Sequence, residues 1–495
     1  MSESPATIRF AFRGEVVAVP VPDPTRSVLQ WLREDARACG SKEGCAEGDC
    51  GACTVIVAEL DDDVPHPSQA VRSAGLALRP VNACIRFLPT LHGKALLTVE
   101  DLASTGSLHP AQQALVDHHG SQCGFCTPGF AMSMAACHEH HAQAGTRPNR
   151  QELADTLSGN LCRCTGYRPI LEAGLAMLDQ PGPRLPLHGL AEQLQALRQQ
   201  ARPAWPAFTA PGDLPSLAAA VQHDPEATLL AGATDIGLWV NKQFRPLPRL
   251  IHLGDVTELR TISDEGGWLR IGAAVPLEDA WAALVSHWPA LAEMHRRFAG
   301  PPVRHAGTLV GNLANGSPIG DAAPVLMALG AVLRLRHGDQ TRDLPLDEFY
   351  VDYMKNRLQR GEFIEAVRVP EGPPGWQVQA YKISKRFDCD ISAVSAGLAL
   401  RLDGERIAEA RLAFGGMAAT VKRAAGAEAA LVGQPWTEAT LRAAQHALAS
   451  DFSPLTDLRA SADYRRQAAA GLLERWWWAT RPHQAMPATM LRVWA

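Results

Sequence analysis

Cys45, Cys50, Cys53 and Cys84 are spaced C-x4-C-x2-C…C. Four thiolates drawn mostly from one short stretch suit two irons bridged by sulfide, and this is the plant-type spacing of a [2Fe–2S] site. The stretch GSKEGCAEGDCGAC carries Gly40, Gly44, Gly48 and Gly51, which permit the tight turns that aim backbone N–H groups at sulfur. The fourth ligand is expected from a neighbouring strand, which accounts for the gap before Cys84. Cys123-Gly-Phe-Cys126 and Cys162-Arg-Cys164 form a second group of four, as two close pairs. They too suit a [2Fe–2S] cluster, and the C-x-C spacing fits a single tetrahedral ion less easily. A structural zinc ion is the alternative for either set. Cys39 and Cys137 fall outside both spacings and are expected to be packed, buried thiols.

The elements that position these cysteines are legible around them. Residues 6–20 read as two strands about an Arg13-Gly14-Glu15 turn. Asp23-Pro24-Thr25 offers a helix start, with helical spacing from Ser27 to Ala38. Strands are expected over Thr54–Leu60, Val81–Leu88 and Ala95–Val99. Four helices follow at about 110–119, 128–142, 149–158 and 169–178, with cysteines at their joints. Residues 180–186 (QPGPRLP) are a proline-rich linker, followed by a polar surface helix over Leu190–Arg202. From Ala207 strands and helices alternate, with glycine-rich turns at LLAGATDIG (229–237) and GTLVGNLANGSPIGD (307–321), and the region after about 380 is again mixed. No G-x-G-x-x-G follows a strand, so a Rossmann site is not supported. The two turns could instead wrap N–H groups around a pyrophosphate.

With 495 residues, the chain exceeds what one core usually serves. Hydrophobic residues at 46% and charged residues at 20% are an ordinary globular balance. The net charge of −5 gives no reason to expect a nucleic-acid binder. The longest apolar run, Ala322–Leu333, is too short to span a bilayer. MSESPATIRF has no basic stretch followed by an apolar one, so no secretory signal is read there, and a cytoplasmic location is expected. In a reducing compartment clustered cysteines point to metal rather than disulfides.

QCGFCTPG (122–129) and GNLCRCTGY (159–167), following the first cysteine set, resemble the iron–sulfur signature of the molybdenum hydroxylases. That family includes xanthine dehydrogenases, aldehyde oxidases and carbon monoxide dehydrogenases. The resemblance implies a multidomain α+β chain. Its parts would be a ferredoxin-like β-grasp domain (6–92), a four-helix [2Fe–2S] domain (93–180), a linker (181–204), an α+β FAD-binding domain that is not Rossmann (205–379), and a C-terminal α/β flavoprotein domain (380–490). It also implies residue roles. Gln122 would contact the pterin of a molybdenum cofactor, where the bland reading is a surface glutamine. Leu229, Leu230, Ala231, Gly232, Ala233, Thr234, Asp235 and Ile236 would hold FAD, as would Thr308, Leu309, Val310, Gly311 and Asn312. Phe298, Asp321, Ile364 and Lys382 would complete that site. Core packing is the rival account of Phe298 and Ile364, and helix capping that of Asp321. Tyr353 and Arg386, in KRFDCD, would lie where the final acceptor docks.

The resemblance covers no molybdenum domain, so hydroxylation is expected on a partner: a large molybdenum-cofactor subunit, in a heterotetramer of two copies of each chain. This chain would pass electrons from molybdenum through the 123/126/162/164 cluster, then the 45/50/53/84 cluster, then FAD, to NAD. Fusion of iron–sulfur and flavin parts without the third part resembles the bacterial xanthine dehydrogenases, which implies hypoxanthine and xanthine as substrates. An aldehyde or N-heterocycle hydroxylase is the nearer alternative, and a zinc-stabilised interaction module the remoter one.

Overall fold

The computed structural model describes residues 6–65, 67–103, 106–200, 204–372 and 375–491. They fall into two compact units. The first runs to Thr261 and takes in Ala274–Asp279 and Ala299–Thr308; the second comprises Ile262–Ala273, Ala280–Phe298 and the chain from Leu309.

The first unit opens with a six-stranded mixed sheet of β1 (Thr7–Phe12), β2 (Glu15–Pro20), β3 (Thr54–Leu60), β4 (Val71–Ser73), β5 (Leu76–Asn82) and β6 (Ala95–Leu97). Their order is β2-β1-β6-β3-β5-β4, with β1 and β6 parallel and the other pairs antiparallel. Central β3, TVIVAEL, is apolar nearly throughout because both its faces are covered. Val55 and Val57 face one core with Phe10 and Trp31. Ile56, Ala58 and Leu60 face another, shared with the helices beyond.

Helix α1 (Val28–Glu34) starts later than Asp23-Pro24-Thr25 suggested. Asp23 instead binds the Thr25 N–H in a local turn, and Ser27 forms a capping box with Gln30. The strand expected over Val81–Leu88 ends at Asn82, and residues beyond it form the cluster loop and a 3₁₀ turn at Leu88–Leu91. The apolar run there comes from a buried loop rather than a ladder.

The four helices stand close to their expected places: α2 (Pro110–Asp117), α3 (Thr127–Ala144), α4 (Arg150–Leu157) and α5 (Arg168–Ala176). Proline in the first turn starts α2, α3 and α5. Asn149 and Glu152 form a capping box on α4, and left-handed Gly145 ends α3. Helix α6 (Leu190–Arg198) is not the free surface helix expected from its polar residues. Leu190, Leu194 and Leu197 are buried in the core shared with the helical domain. Part of its expected C-terminal end (201–202) lies outside the described residues. The unit also holds a small sheet of Ala204–Trp205, Phe208–Thr209, Leu250–His252 and Thr228–Leu230, in that order, the last three parallel.

The second unit has an antiparallel five-stranded sheet ordered Ile262–Asp264, Trp268–Gly272, Phe363–Pro370, Val332–His337 and Gln340–Pro345. A further antiparallel sheet of Trp376–Ile383, Val394–Asp403, Arg406–Gly415 and Lys422–Arg423 packs with the helices Ala425–Leu431, Glu438–Asp451 and Ala462–Thr480 around Trp436, Trp476 and Trp477. All the sheets are open, and none is Rossmann-like. No described helix is long and apolar enough to cross a membrane.

Candidate iron–sulfur and flavin site

The loop after α1 turns back on itself through left-handed residues at Ala46, Gly48 and Gly51. Ala46 is strained there, at a cost of about 1–2 kcal/mol, which the surrounding structure must offset. The turn brings the first four cysteines together. The thiols of Cys50 and Cys84 both hydrogen-bond to Cys45 Sγ, and Cys84 also bonds to Cys53. Main-chain N–H groups of Glu47 and Cys50 point at Cys45 Sγ, 3.5 and 3.4 Å away. Such donors stabilise the negative charge of thiolates bound to iron. Gly44 is obligatory, since a Cβ there would stand 2.9 Å from Cys50 Sγ. Cys53 and Cys84 are buried, and Cys45 and Cys50 half-buried. Cys84 lies just past the end of β5, in the loop rather than on the strand.

The second set gathers at the helix joints. Cys126 contacts Cys162, and Cys123 contacts Cys164. Cys162 is buried, while Cys123 and Cys164 are exposed. The Tyr167 hydroxyl accepts from the Cys162 N–H at 3.1 Å, and Tyr167 is itself left-handed, with φ 68°. Gln122 and Phe125 are exposed beside the set. In the first foursome the contacts run from Cys50 to Cys45 to Cys84 to Cys53, and in the second Cys126 pairs with Cys162 and Cys123 with Cys164. Four thiols gathered in this way are the donor set a [2Fe–2S] cluster takes. Each foursome would hold one [2Fe–2S] cluster. Cys137 is packed inside α3, and burial pushes its thiol up to about 12. Cys39 is exposed, not buried, because the chain turns outward there and the thiol donates to the Arg33 carbonyl.

The two cysteine loops touch. The Leu161 N–H, one residue before Cys162, donates to the Cys50 carbonyl at 2.9 Å. Asn160 is buried. Its Nδ2 donates to the Gly51 carbonyl and to Thr54 Oγ1, both at 3.2 Å, and its Oδ1 accepts from Ser133 Oγ at 2.7 Å. Only glycine fits this seam: a Cβ on Gly51 would lie 2.2 Å from the Gly159 carbonyl, and one on Gly129 would lie 2.0 Å from the Gly51 carbonyl. Sequence reading missed Asn160 and Tyr167. Their only signal was their place inside GNLCRCTGY.

A second junction joins the first cysteine loop to the 229–236 turn. The helix Ile236–Asn241 follows that turn, and Asn241 Nδ2 donates to the carbonyls of Cys84, at 2.8 Å, and Ala46, at 3.0 Å. Gly237 sits so close that a Cβ would stand 2.8 Å from Ile85. Within the turn Ala233 is left-handed, and Gly232 abuts Ala306 and Gly307 backbone to backbone. None of the N–H groups of residues 231–236 donates to another described residue. Free main-chain donors on a tight turn are what a pyrophosphate needs, so Leu229–Ile236 fit a phosphate-bearing cofactor. Thr308 is in this same unit.

The other flavin candidates stand in the second unit. Leu309, Val310, Gly311 and Asn312 open the helix Leu309–Asn315. Phe298 is buried against Trp281, ring centroids 5.5 Å apart, and Ile364 is buried on its strand, so packing accounts for both side chains as they stand. Asp321 holds the N-cap position of Ala322–Leu329 but makes no capping bond. It is buried with Lys382, Nζ to Oδ2 2.6 Å, and accepts from Ser392 Oγ at 2.6 Å. The structure thus brings Asp321 and Lys382 together and answers the capping account. Tyr353 is exposed on a hairpin. Arg386 is exposed, in a loop closed by its own N–H to Asp390 and its guanidinium to the Cys389 carbonyl.

Residues 10–87 match the 2Fe-2S iron-sulfur cluster binding domain and 98–175 the [2Fe-2S] binding domain. Residues 201–372 match the FAD binding domain in molybdopterin dehydrogenase, and 379–480 the CO dehydrogenase flavoprotein C-terminal domain. Xanthine dehydrogenase of Emericella nidulans is 31% identical across 95% of this chain, which covers 38% of that protein. Aldehyde oxidase 2 of Cavia porcellus is 32% identical across 87% of the chain and 36% of its own length. The chain therefore spans less than two-fifths of these relatives. Among solved structures, a chain of carbon monoxide dehydrogenase from Hydrogenophaga pseudoflava is 28% identical with a TM-score of 0.52, covering 54% of this chain and 94% of its own. A chain of quinoline 2-oxidoreductase from Pseudomonas putida 86 is 25% identical with a TM-score of 0.50, covering 55% of this chain and 95% of its own.

Proposed function

We propose that this chain, which carries the two iron–sulfur and two flavoprotein domains of the molybdenum hydroxylases in small-subunit arrangement, is their electron-transfer subunit and serves xanthine oxidation. The observation that carries the reading is the continuous series of contacts from Leu161 to Cys50, and from Cys84 through Asn241 to the 229–236 turn. When bound, the clusters supply single-electron steps and FAD the two-electron step. The chain's own residues set the order. Exposed Cys123 and Cys164, beside exposed Gln122, stand where a molybdenum cofactor on a partner subunit could approach. The seam at Asn160 fixes the second site against the first, and Asn241 fixes the first against the flavin turn. The eight cysteines hold the clusters, and Leu229–Ile236, Thr308–Asn312, Phe298, Asp321, Ile364 and Lys382 serve FAD. Tyr353 and Arg386 serve the acceptor, which is NAD.

Xanthine and hypoxanthine are favoured as substrates by the xanthine dehydrogenases among the relatives. Aldehyde oxidase 2 and quinoline 2-oxidoreductase among the similar proteins favour the second reading, an aldehyde or N-heterocycle substrate. Steady-state assays of the complex with its molybdenum-bearing partner decide between them. NAD reduction driven by xanthine is expected. Turnover of aldehydes or quinolines without purines would overturn the substrate assignment, and turnover with oxygen alone the acceptor.

A further inference from the structure

The turn between Cys162 and α5 carries hydrogen bonds that the cysteine spacing alone does not require. Gly166 and Tyr167 are both left-handed, each with φ 68°, and fold the chain back towards Cys162. That backbone is costly at a residue with a side chain and persists where its surroundings hold it. Thr165, half-buried in the bend, places Oγ1 3.2 Å from Cys162 Sγ. Its own N–H donates to the same sulfur at 3.5 Å. The Tyr167 N–H donates to Thr165 Oγ1 at 3.2 Å, and the Tyr167 hydroxyl accepts from the Cys162 N–H at 3.1 Å. Three residues thus close a ring of hydrogen bonds around one ligand sulfur.

The hydroxyl proton in this ring has one direction. A threonine hydroxyl carries a single hydrogen and two acceptor lone pairs. Oγ1 uses a lone pair for the Tyr167 N–H, which leaves its hydrogen for another acceptor, and Cys162 Sγ is within reach. A sulfur bound to iron as a thiolate has no proton to give and can only accept. Hydrogen bonds to a ligand sulfur favour the more negative, reduced state of a cluster. In the first foursome, Cys45 takes its donors from the main-chain N–H groups of Glu47 and Cys50. At Cys162 a side chain adds to them. We propose that Thr165 sets the reduction potential of the second site, its hydroxyl donating to Cys162 Sγ and making the cluster there easier to reduce. Thr165 acts through the sulfur of Cys162, which makes it a positioning residue. This role rests on the second foursome holding a [2Fe–2S] cluster, as read above.

The test is an EPR-monitored redox titration of the full chain with its clusters, for wild type, Thr165→Val and Thr165→Ser. The second cluster is identified as the signal that survives Cys84→Ser. Thr165→Val keeps the bulk and removes the hydroxyl. The second cluster should become about tenfold harder to reduce, a fall of about 59 mV for one electron, while the first cluster keeps its potential as the internal reference. Thr165→Ser keeps the donor and should restore most of the loss. An unmoved second potential in Thr165→Val protein with full iron content overturns the role of Thr165. An equal fall at both clusters overturns it too, since that is a general loosening. If Thr165→Val loses its iron, the wild type still decides. Reduced protein in H2O and in D2O is compared by ENDOR, and an exchangeable proton coupled to the second cluster more strongly than those of the amides is expected, as the shorter 3.2 Å contact requires. Its absence overturns the role of Thr165. Wild type without a second signal would instead sink the cluster reading, a failure visible before any Thr165 variant is made.

Discussion

The two cysteine foursomes hold the same ligand atoms in opposite settings. The first is wrapped by a glycine-rich loop, backed by a sheet buried on both faces, with two cysteines buried and none exposed. The second sits on helix joints, with Cys123 and Cys164 open to solvent and Phe125 47% exposed beside them. Burial and N–H donors to sulfur are levers on cluster potential. On the proposed function the first set would be a sheltered relay and the second the entry point. The first set faces inward to two neighbours, the seam at Gly51 and the flavin turn at Asn241. The second faces one neighbour inside the chain and keeps its other side free.

The largest break is removal of a ligand. Cys84→Ser should abolish one of two iron–sulfur EPR signals and halt electron delivery to FAD while leaving the second signal in place. Loss of both signals would mean that the sites fold as one.

Next come two glycines, one from each loop, that separate packing from conformation. Gly51→Ala meets both a left-handed backbone, φ 70°, and the Gly159 carbonyl at 2.2 Å. It should cost about 4 kcal/mol in chemical denaturation. Gly124→Ala, with φ 81° and open space around it, should cost only about 1 kcal/mol. Equal costs would remove the distinction between a sealed loop and an open one.

A third effect sharpens the comparison through pH. His109 caps α2 with its Nδ1 and is fully buried; burial, and then His138, hold its pKa down at about 4. Because the unfolded chain protonates near the ordinary value of 6.5, it binds more protons between the two values. Stability should be complete above about pH 6.5 and fall by about 3 kcal/mol on acidification towards pH 4. His109→Asn keeps a capping acceptor and removes the titration, so the acid limb of its stability profile should flatten. An unchanged limb would refute the assignment.

The smallest expected effect on stability is at the open edge. Phe125→Ala should change folding by within about 0.5 kcal/mol yet weaken association with the molybdenum-bearing partner, measured by co-purification. Unweakened association would place the docking face elsewhere.

Much of this was readable in the sequence because spacing carried it. Thr54–Leu60 reads as a buried strand from its composition, and three of the four helices carry proline in their first turn while the fourth carries a capping box. The cysteine foursomes followed from ligand chemistry. What escaped was set by tertiary contact. Leu190, Leu194 and Leu197 looked like the thin apolar stripe of a surface helix until a core claimed them. Cys39 looked packed and is exposed, since nothing local says which way a loop thiol turns. Asn160 and Asn241, which stitch the three sites together, are single polar residues whose partners lie far off in sequence at Gly51 and Cys84, and no local pattern marks them.

The central claim is that both foursomes carry [2Fe–2S] clusters in series with a flavin. Low-temperature EPR of the anaerobically dithionite-reduced chain, with iron, zinc and flavin quantified on the same sample, tests it most directly. The account predicts two distinct rhombic signals, and iron and flavin in the ratio required by two binuclear clusters and one FAD. A single signal would leave one foursome misassigned. Zinc in place of iron, with no signal and no flavin, would contradict the account outright.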